Sequence, residues 1–377
     1  MKKVEIITIF DNTNFGTYLQ ALALALTIQK SGFDVEIIDY IRPVQSEEVW
    51  KRFGNNFIKK IYYTFWGFPH WRKLRCDCHA FVSHFVPISK TQYMSYKELK
   101  DNPPLADIYI TGSDQVWNSI YNGGIDKSFY LDFVPDGYKR VAYAASIGMS
   151  QIPKEEVEEM KRLLSKYKSI TVREADAHRI LSELGFKNVP VVLDPTLLLD
   201  KVAWASIAKQ FKPLKTEPYL LVYSVESDAQ NKLISRYAKL MSKRYGWKIY
   251  EISYNSYFHR LKFADRHFSQ VTPEVFLQLM LNAEFVIVSS FHGTAFSINF
   301  NKQFLTISPN RFNSRVDNIL AICDLKDRLV TSSSFDINKI HSIDYSRVNN
   351  IIEKERNKSM NLLNEMLVVS TQKQAID

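Results

Sequence analysis

No stretch of this chain approaches the ~18 consecutive apolar residues of a membrane-spanning helix, which argues against a helical integral membrane protein. Its opening, Met1 to Phe10, carries two lysines and a short apolar run broken by Glu5. Asp11 and Asn12 stand where the small residues of a cleavage site would lie, so the expectation is a first strand in a cytoplasmic protein, not an export signal. Cysteine is scarce. Cys76, Cys78 and Cys323 make an odd count, and the first two lack a second pair at metal-ligand spacing, so reduced thiols are expected in preference to a metal site at Cys76, Cys78 and His79. Fixed-period repeats and low-complexity tracts are absent. Four catalytic signatures are missing as well: the Gly-x-x-x-x-Gly-Lys-Ser/Thr phosphate loop, G-x-G-x-x-G, His-Glu-x-x-His and G-x-S-x-G. Kinase, nicotinamide-enzyme, zinc-peptidase and serine-hydrolase readings lose their support.

What is present is ordinary in bulk. A length of 377 residues accommodates two α/β domains, and 46% hydrophobic with 24% charged residues is the balance of a soluble globular chain. The net charge of +9 is unevenly placed. Between Val49 and Cys76 stand seven basic residues (Lys51, Arg52, Lys59, Lys60, Arg72, Lys73, Arg75) and no acidic one. Trp50, Phe53, Phe57, Tyr62, Tyr63, Phe65, Trp66, Phe68 and Trp71 are interleaved with them. Such a mixture suits a membrane surface, contacted through residues 50–75, or a helical insertion packed on its own domain. Nucleic acid is not expected, because no binding motif accompanies the patch.

The order of elements points to an α/β fold of two Rossmann-like doubly wound domains facing across a cleft. Val4–Phe10 reads as a strand, followed by a polar loop, a helix through Leu19, Leu22, Leu26 and Ile28, a stop at Gly32 and a second strand at Val35–Tyr40. Further strands are expected at Ile108–Thr111, Val141–Ala145, Ser169–Val172 and Val189–Leu193, with helices at Lys154–Lys166 and Ala175–Leu184. Asp194 to Pro218 reads as a break with a polar linker. A second set follows: strands Tyr219–Ser224, Lys248–Ile252, Phe285–Ser290 and Phe304–Ile307, and helices Ala229–Arg244, Pro273–Leu281 and Arg315–Cys323. The domains are accordingly drawn at 1–200, carrying the basic-aromatic insertion at about 46–100, and at 213–345. A helix at Val348–Leu367 and a frayed tail from Ser370 make up 346–377.

In open parallel sheets the working crevice lies off the carboxyl ends of the strands. Collected there are Asn14 and Gly16; Ser113, Asp114, Gln115 and Asn118; Ser146; Arg173; and Ser290, Phe291, His292, Gly293 and Thr294. His292 falls at a strand-to-helix junction, where orphan N–H groups and the positive helix end favour an anion. It is read as a titratable group at an anion site or as a buried turn histidine. Asp114 is a base for a hydroxyl or a helix cap. Arg173 is a fork for carboxylate or phosphate, or a surface partner of Glu174 or Asp176. Arg311 and Arg315 offer a second anion contact, and Asp194 reads as a turn.

Six segments then carry a resemblance: Asn14-Phe-Gly-Thr-Tyr-Leu-Gln20, Gly112-Ser-Asp-Gln-Val-Trp-Asn118, Tyr143-Ala-Ala-Ser-Ile-Gly148, Val172-Arg-Glu174, Asp194-Pro-Thr196 and Ser290-Phe-His-Gly293. In this order, over residues 4 to 330, they resemble the polysaccharide pyruvyl transferase family. The resemblance implies a GT-B-like fold and transfer of a pyruvyl group from phosphoenolpyruvate, as co-substrate, to two hydroxyls of a sugar in a cell-surface or capsular precursor. It implies that Arg173 and His292 contact phosphoenolpyruvate. Ser290, Phe291, Gly293, Thr294 and Arg315 are read as donor-binding on the second domain. Asn14, Gly16, Ser113, Gln115, Asn118 and Ser146 are read as acceptor-side or loop positions on the first. His292 is the expected general acid and Asp114 a base; no metal and no cofactor is expected. A lipid-linked sugar acceptor at the inner membrane face is the expected partner, and the oligomeric state is open. The alternative is a glycosyltransferase of the same architecture with a nucleotide-sugar donor, or a non-catalytic module that senses anionic sugars.

Overall fold

The computed structural model describes residues 1–45, 61, 65, 67–225, 228–253, 261–308, 314–337 and 340–368. Most of the aromatic-basic stretch (46–60, 62–64 and 66), Arg311 and the tail from 369 lie outside the described residues.

The first half builds β1 (Lys3–Ile7), α1 (Phe15–Lys30), β2 (Asp34–Tyr40), α2 (Phe68–Ser83), β3 (Ile88–Tyr93), α3 (Tyr96–Asp101), β4 (Ile108–Thr111), α4 (Ser119–Asn122), β5 (Lys139–Ala145), α5 (Val157–Leu164), β6 (Ser169–Val172) and α6 (Ala175–Glu183). After α7 (Lys201–Ala208) the second half repeats the scheme. It comprises β7 (Tyr219–Ser224), α8 (Asp228–Tyr245), β8 (Lys248–Ser253), β9 (Arg266–Phe268), α9 (Pro273–Asn282), β10 (Phe285–Val288), α10 (Phe291–Asn299), β11 (Gln303–Ile307), α11 (Ser314–Ile322), β12 (Leu329–Val330) and α12 (Tyr345–Leu367).

Each half forms a six-stranded parallel sheet. The orders are β3-β2-β1-β4-β5-β6 and β9-β8-β7-β10-β11-β12, so both follow the 3-2-1-4-5-6 winding of a dinucleotide-type sheet. The central strands are buried on both faces, which explains their continuous apolar runs: all four residues of Phe285–Val288 and of Ile108–Thr111 are enclosed. In such a winding the chain reverses direction between strands one and four, and a crevice opens there. Here the two crevices lie beyond β1/β4 and beyond β7/β10, and the start of α1 bridges them. Phe15, its first residue, stacks on Phe276 of α9 at 4.2 Å and touches Tyr223 of β7 at 4.9 Å. This aromatic contact belongs to an apolar cluster that continues from the first sheet into the second.

Two expectations fail locally. Val189–Leu193 is not a strand; Pro190 supplies no N–H, and only a single bridge from Val191 to Val172 forms. The expected linker after Asp194 contains α7, whose Trp204 is fully buried and donates to Thr196 O at 2.9 Å. The C-terminal helix α12 crosses back to the first domain. Arg356 donates to Leu197 O at 2.7 Å, and Leu193 N donates to Ser359 Oγ at 3.0 Å. Among the described residues no helix is long and apolar enough to cross a membrane.

Candidate active site

The chain ends of β4, β5, β6 and β10 converge with the start of α1 on one enclosed centre. Asn14 caps α1 by accepting from Gly16 N at 2.9 Å, which presents Gly16 and Thr17 to the crevice. A Cβ on Gly16 would stand 2.4 Å from Nδ1 of His292, so glycine is what lets α1 approach the histidine. Beyond β4 the backbone turns through Asp114, a non-glycine residue at φ 71°. Such conformations gather at functional loops. Thr17 Oγ1 donates to Asp114 Oδ2 at 3.2 Å and Gln115 N to its Oδ1 at 2.8 Å. Asp114 therefore does not cap the following helix; Asn118 does, accepting from Tyr121 N.

Arg173, at the end of β6, is 3% exposed and is no surface partner. Its Nη1 donates to Asp194 Oδ2 at 2.6 Å, with Ser113 Oγ at 3.4 Å. Among the described residues the opposite edge, Nε and Nη2, has no hydrogen-bond partner. Asp114 Oδ1 stands 3.5 Å from Nη2 and Glu174 Oε2 3.9 Å from Nε, close enough for charge and too far for a hydrogen bond. Asp176, the other expected partner, sits beside Arg179. From the second domain, His292 brings Nε2 to 4.0 Å from Asp194 Oδ2, and this nitrogen is also buried without a hydrogen-bond partner among the described residues. The guanidinium of Arg173 lies 4.7 Å over the ring of Phe291, and that of Arg315 lies 5.9 Å from the same ring. Arg315 Nε is enclosed and, among the described residues, unpartnered too. Two arginines and an imidazole from opposite domains thus surround Phe291 with unused buried donors, an arrangement that costs stability unless an anion takes them.

The charges set one another. Burial opposes ionisation of Asp194, but Arg173 and then His292 outweigh it and hold the carboxyl down at about 2. Burial also works against the Asp114 carboxylate, and Arg173, His292 and Arg315 again keep it below the ordinary range. Burial dominates at His292 and lowers its proton affinity, although Asp194 and Asp114 pull the other way. Burial and the neighbouring Arg173 bring Arg315 to about 10.

The remaining sequence-derived positions divide. Ser290 caps α10 by accepting from Gly293 N at 3.0 Å, so that amide is not open to a ligand; the first-turn amides of Phe291 and His292 are the ones left. Thr294 turns away, bonding Ser290 O and Thr306 Oγ1. Ser113 Oγ donates to Asp194 at 2.9 Å. Ser146 Oγ, Ile147 N and Gly148 N all donate to Glu174 Oε1, while Gln115 and Asn118 bond each other. These side chains shape the loops around the centre. Sequence reasoning placed Glu174 beside Arg173 at the strand end but missed Asp194 and Thr17 as members of the site, although both lie inside segments quoted above. Among the described residues no group of three or more His, Cys, Asp or Glu is arranged to hold a metal; Cys76 is exposed, and Cys78 and Cys323 are buried free thiols.

Comparison with curated proteins finds no match. A family model described as polysaccharide pyruvyl transferase matches residues 14–311, a span containing every residue of the centre except Arg315. Among solved structures, the UDP-GlcNAc 2-epimerase from Methanocaldococcus jannaschii is 14% identical with a TM-score of 0.54, covering 97% of this chain and 99% of that one. The UDP-GlcNAc 2-epimerase from Neisseria meningitidis, bound to UDP-GlcNAc, is 11% identical with a TM-score of 0.51 at 97% and 99% coverage. These likenesses establish the fold, two GT-B-like Rossmann domains.

Proposed function

The chain belongs to the polysaccharide pyruvyl transferase family, and from that premise we propose that it transfers pyruvyl from phosphoenolpyruvate to two hydroxyls of one sugar, leaving a cyclic ketal and inorganic phosphate. The observation that carries this reading is the set of unpartnered buried donors: Arg173 Nε and Nη2, Arg315 Nε and His292 Nε2. Phosphoenolpyruvate bears a carboxylate and a phosphate, and two guanidinium forks complement both. Asp194 holds the Nη1 end of Arg173, so the Nε–Nη2 edge is the one presented.

The enol phosphate reacts once its methylene carbon is protonated, which leaves positive charge on C2. His292 Nε2 is the donor in this reading. Burial keeps its imidazole neutral in the protein alone, and a phosphate dianion beside it adds the negative charge that favours imidazolium. A sugar hydroxyl adds to C2 and gives its proton toward Asp114, whose lowered proton affinity keeps it ionised for that role. Phosphate then leaves with cleavage of its C2–O bond, and the second hydroxyl closes the ring. The two hydroxyl protons balance the one gained by the methyl carbon and the one carried off on hydrogen phosphate.

The acceptor is a lipid-linked or oligomeric sugar presented at a membrane face, which the basic-aromatic stretch at 50–75 would approach. Against a nucleotide-sugar donor stands Glu251, the buried acid of β8: it spends its oxygens on Leu261 N and His267 Nδ1, leaving no carboxylate for a ribose there. The test is thermal stabilisation followed by phosphate release with a sugar acceptor. Stabilisation by phosphoenolpyruvate and release of phosphate are expected. Stabilisation by UDP-sugars alone would replace this reading with the nucleotide-sugar one.

A further inference from the structure

A groove of about 680 Å³ lies beside the centre, within the size range of small-molecule sites. Its long wall is the loop after β5, from Gly148 to Lys154. Ile120 of α4, Asp176 of α6 and Ser314 at the start of α11 complete it, so both domains contribute.

The lining of the groove contains none of the charged residues of the centre but adjoins them along the chain. Asp176 is two residues beyond Glu174, and Ser314 directly precedes Arg315. Gly148, at the inner end, donates its N–H to Glu174 Oε1 at 3.2 Å. A Cβ on it would stand 2.1 Å from Oε1 of Gln115, the residue after Asp114, so only glycine lets the loop reach this floor. The outer loop is held in place by Arg179, which donates to Ser150 O. The wall is therefore a built surface.

Its chemistry is mixed and close to neutral. Ile152 and Pro153 supply apolar patches, and Ile120 offers another at 69% exposure. Ser150, Gln151 and Asp176 supply hydroxyl partners, while Lys154 is the single cation of the lining. A nucleotide or another polyanion would call for more positive charge and for a flat aromatic face, and the lining has neither. A saccharide matches it, with apolar C–H faces and hydroxyls in alternation.

We propose that this groove seats the acceptor saccharide, ring faces on Ile120 and Ile152 and hydroxyls on Gln151 and Asp176, so that the hydroxyl pair points past Gly148 toward Asp114. The assignment rests on the pyruvyl-transfer reading. The experiment measures phosphoenolpyruvate affinity by calorimetry, and steady-state transfer to a panel of 4-nitrophenyl hexosides and N-acetylhexosaminides by mass spectrometry, for the wild type, Ile152→Trp and Gln151→Ala. Ile152→Trp fills the groove without touching the anion site. It is expected to raise the acceptor KM at least ~tenfold while the donor Kd stays within about twofold of the wild type. Gln151→Ala, an exposed change that spares the fold, is expected to raise the same KM about fivefold, the ~1 kcal/mol of one neutral hydrogen bond. Unchanged acceptor KM in both variants overturns the groove while the reaction stands. Failure of the wild type to bind phosphoenolpyruvate overturns the reaction itself. Donor binding with transfer to no glycoside overturns the saccharide assignment.

Discussion

A methyl group on Gly16 would stand 2.4 Å from Nδ1 of His292, although the two residues belong to helices in opposite domains. The helix that opens the first Rossmann unit thus closes directly on the imidazole that opens α10 of the second. The contact couples domain packing to the geometry of the centre.

Gly16→Ala should therefore separate the domains locally and move His292. Overpacking of this kind costs about 1–3 kcal/mol, and a displacement near 1 Å at a reacting group costs up to about 10² in rate. The expected result is a lowered unfolding midpoint together with a fall in turnover larger than any loss of phosphoenolpyruvate affinity. Calorimetry and phosphate-release kinetics check both, and turnover at the wild-type rate would show that α1 yields without cost.

His292→Ala should lower turnover by about 10²–10⁴, the usual worth of general acid help, with less than about tenfold loss of donor affinity. The pH profile gives the sign. An acid must be protonated to act, so wild-type turnover should decline as pH rises through the imidazole pKa of the donor complex. The variant should lose that alkaline limb. Retention of both rate and limb would remove His292 from proton transfer.

Asp194 shows how far the sequence was legible. The Asp194-Pro195-Thr196 triplet reads as a turn, and Oδ1 does accept from Thr196 N and Oγ1. Its Oδ2 serves the centre, and nothing in the local sequence encodes that second duty, because Arg173 and His292 reach it from elsewhere in the chain. The same division holds for the fold. Strands β7 and β10 announce themselves as apolar runs. The edge strand β3 (Ile-Ser-Lys-Thr-Gln-Tyr) is largely exposed and polar, and β9 and β12 have three and two residues, too few to show a period. Asn118 and Ser146 were legible as polar groups at strand ends, but their side chains are spent on a helix cap and on Glu174.

The lowered Asp194 pKa makes a stability prediction. A carboxyl held at about 2 in the fold and near ~3.9 when unfolded stabilises the protein fully above its unfolded value. That contribution is lost as pH falls through the folded value. The difference is worth on the order of 2 kcal/mol. His292 acts with the same sign, since its lowered proton affinity also makes the unfolded chain the better proton acceptor. Urea unfolding of the wild type should weaken steeply between about pH 4 and pH 2. Asp194→Asn should be less stable at pH 7 by about 3–5 kcal/mol, the cost of breaking a buried ion pair, and should show a shallower acid slope. Parallel slopes in the two proteins would place the acid sensitivity elsewhere.

The basic-aromatic stretch makes the last prediction. Lys59 and Lys60 lie outside the described residues, while Arg72 and Lys73 stand on exposed positions of α2. That helix is fixed to the domain by Arg75, which donates to Asp39 at 2.9 Å, so Arg72 and Lys73 project from a rigid support. Each basic residue near an anionic bilayer contributes about 1 kcal/mol, and the six basic residues of the stretch other than Arg75, with interleaved aromatics, amount to a reversible anchor. Wild-type protein should float with vesicles containing anionic lipid, and release as salt is raised. A variant with Lys59, Lys60, Arg72 and Lys73 changed to Glu should remain at the bottom of the gradient. Equal flotation of the two would mean that the stretch packs against protein and that the acceptor reaches the groove from solution.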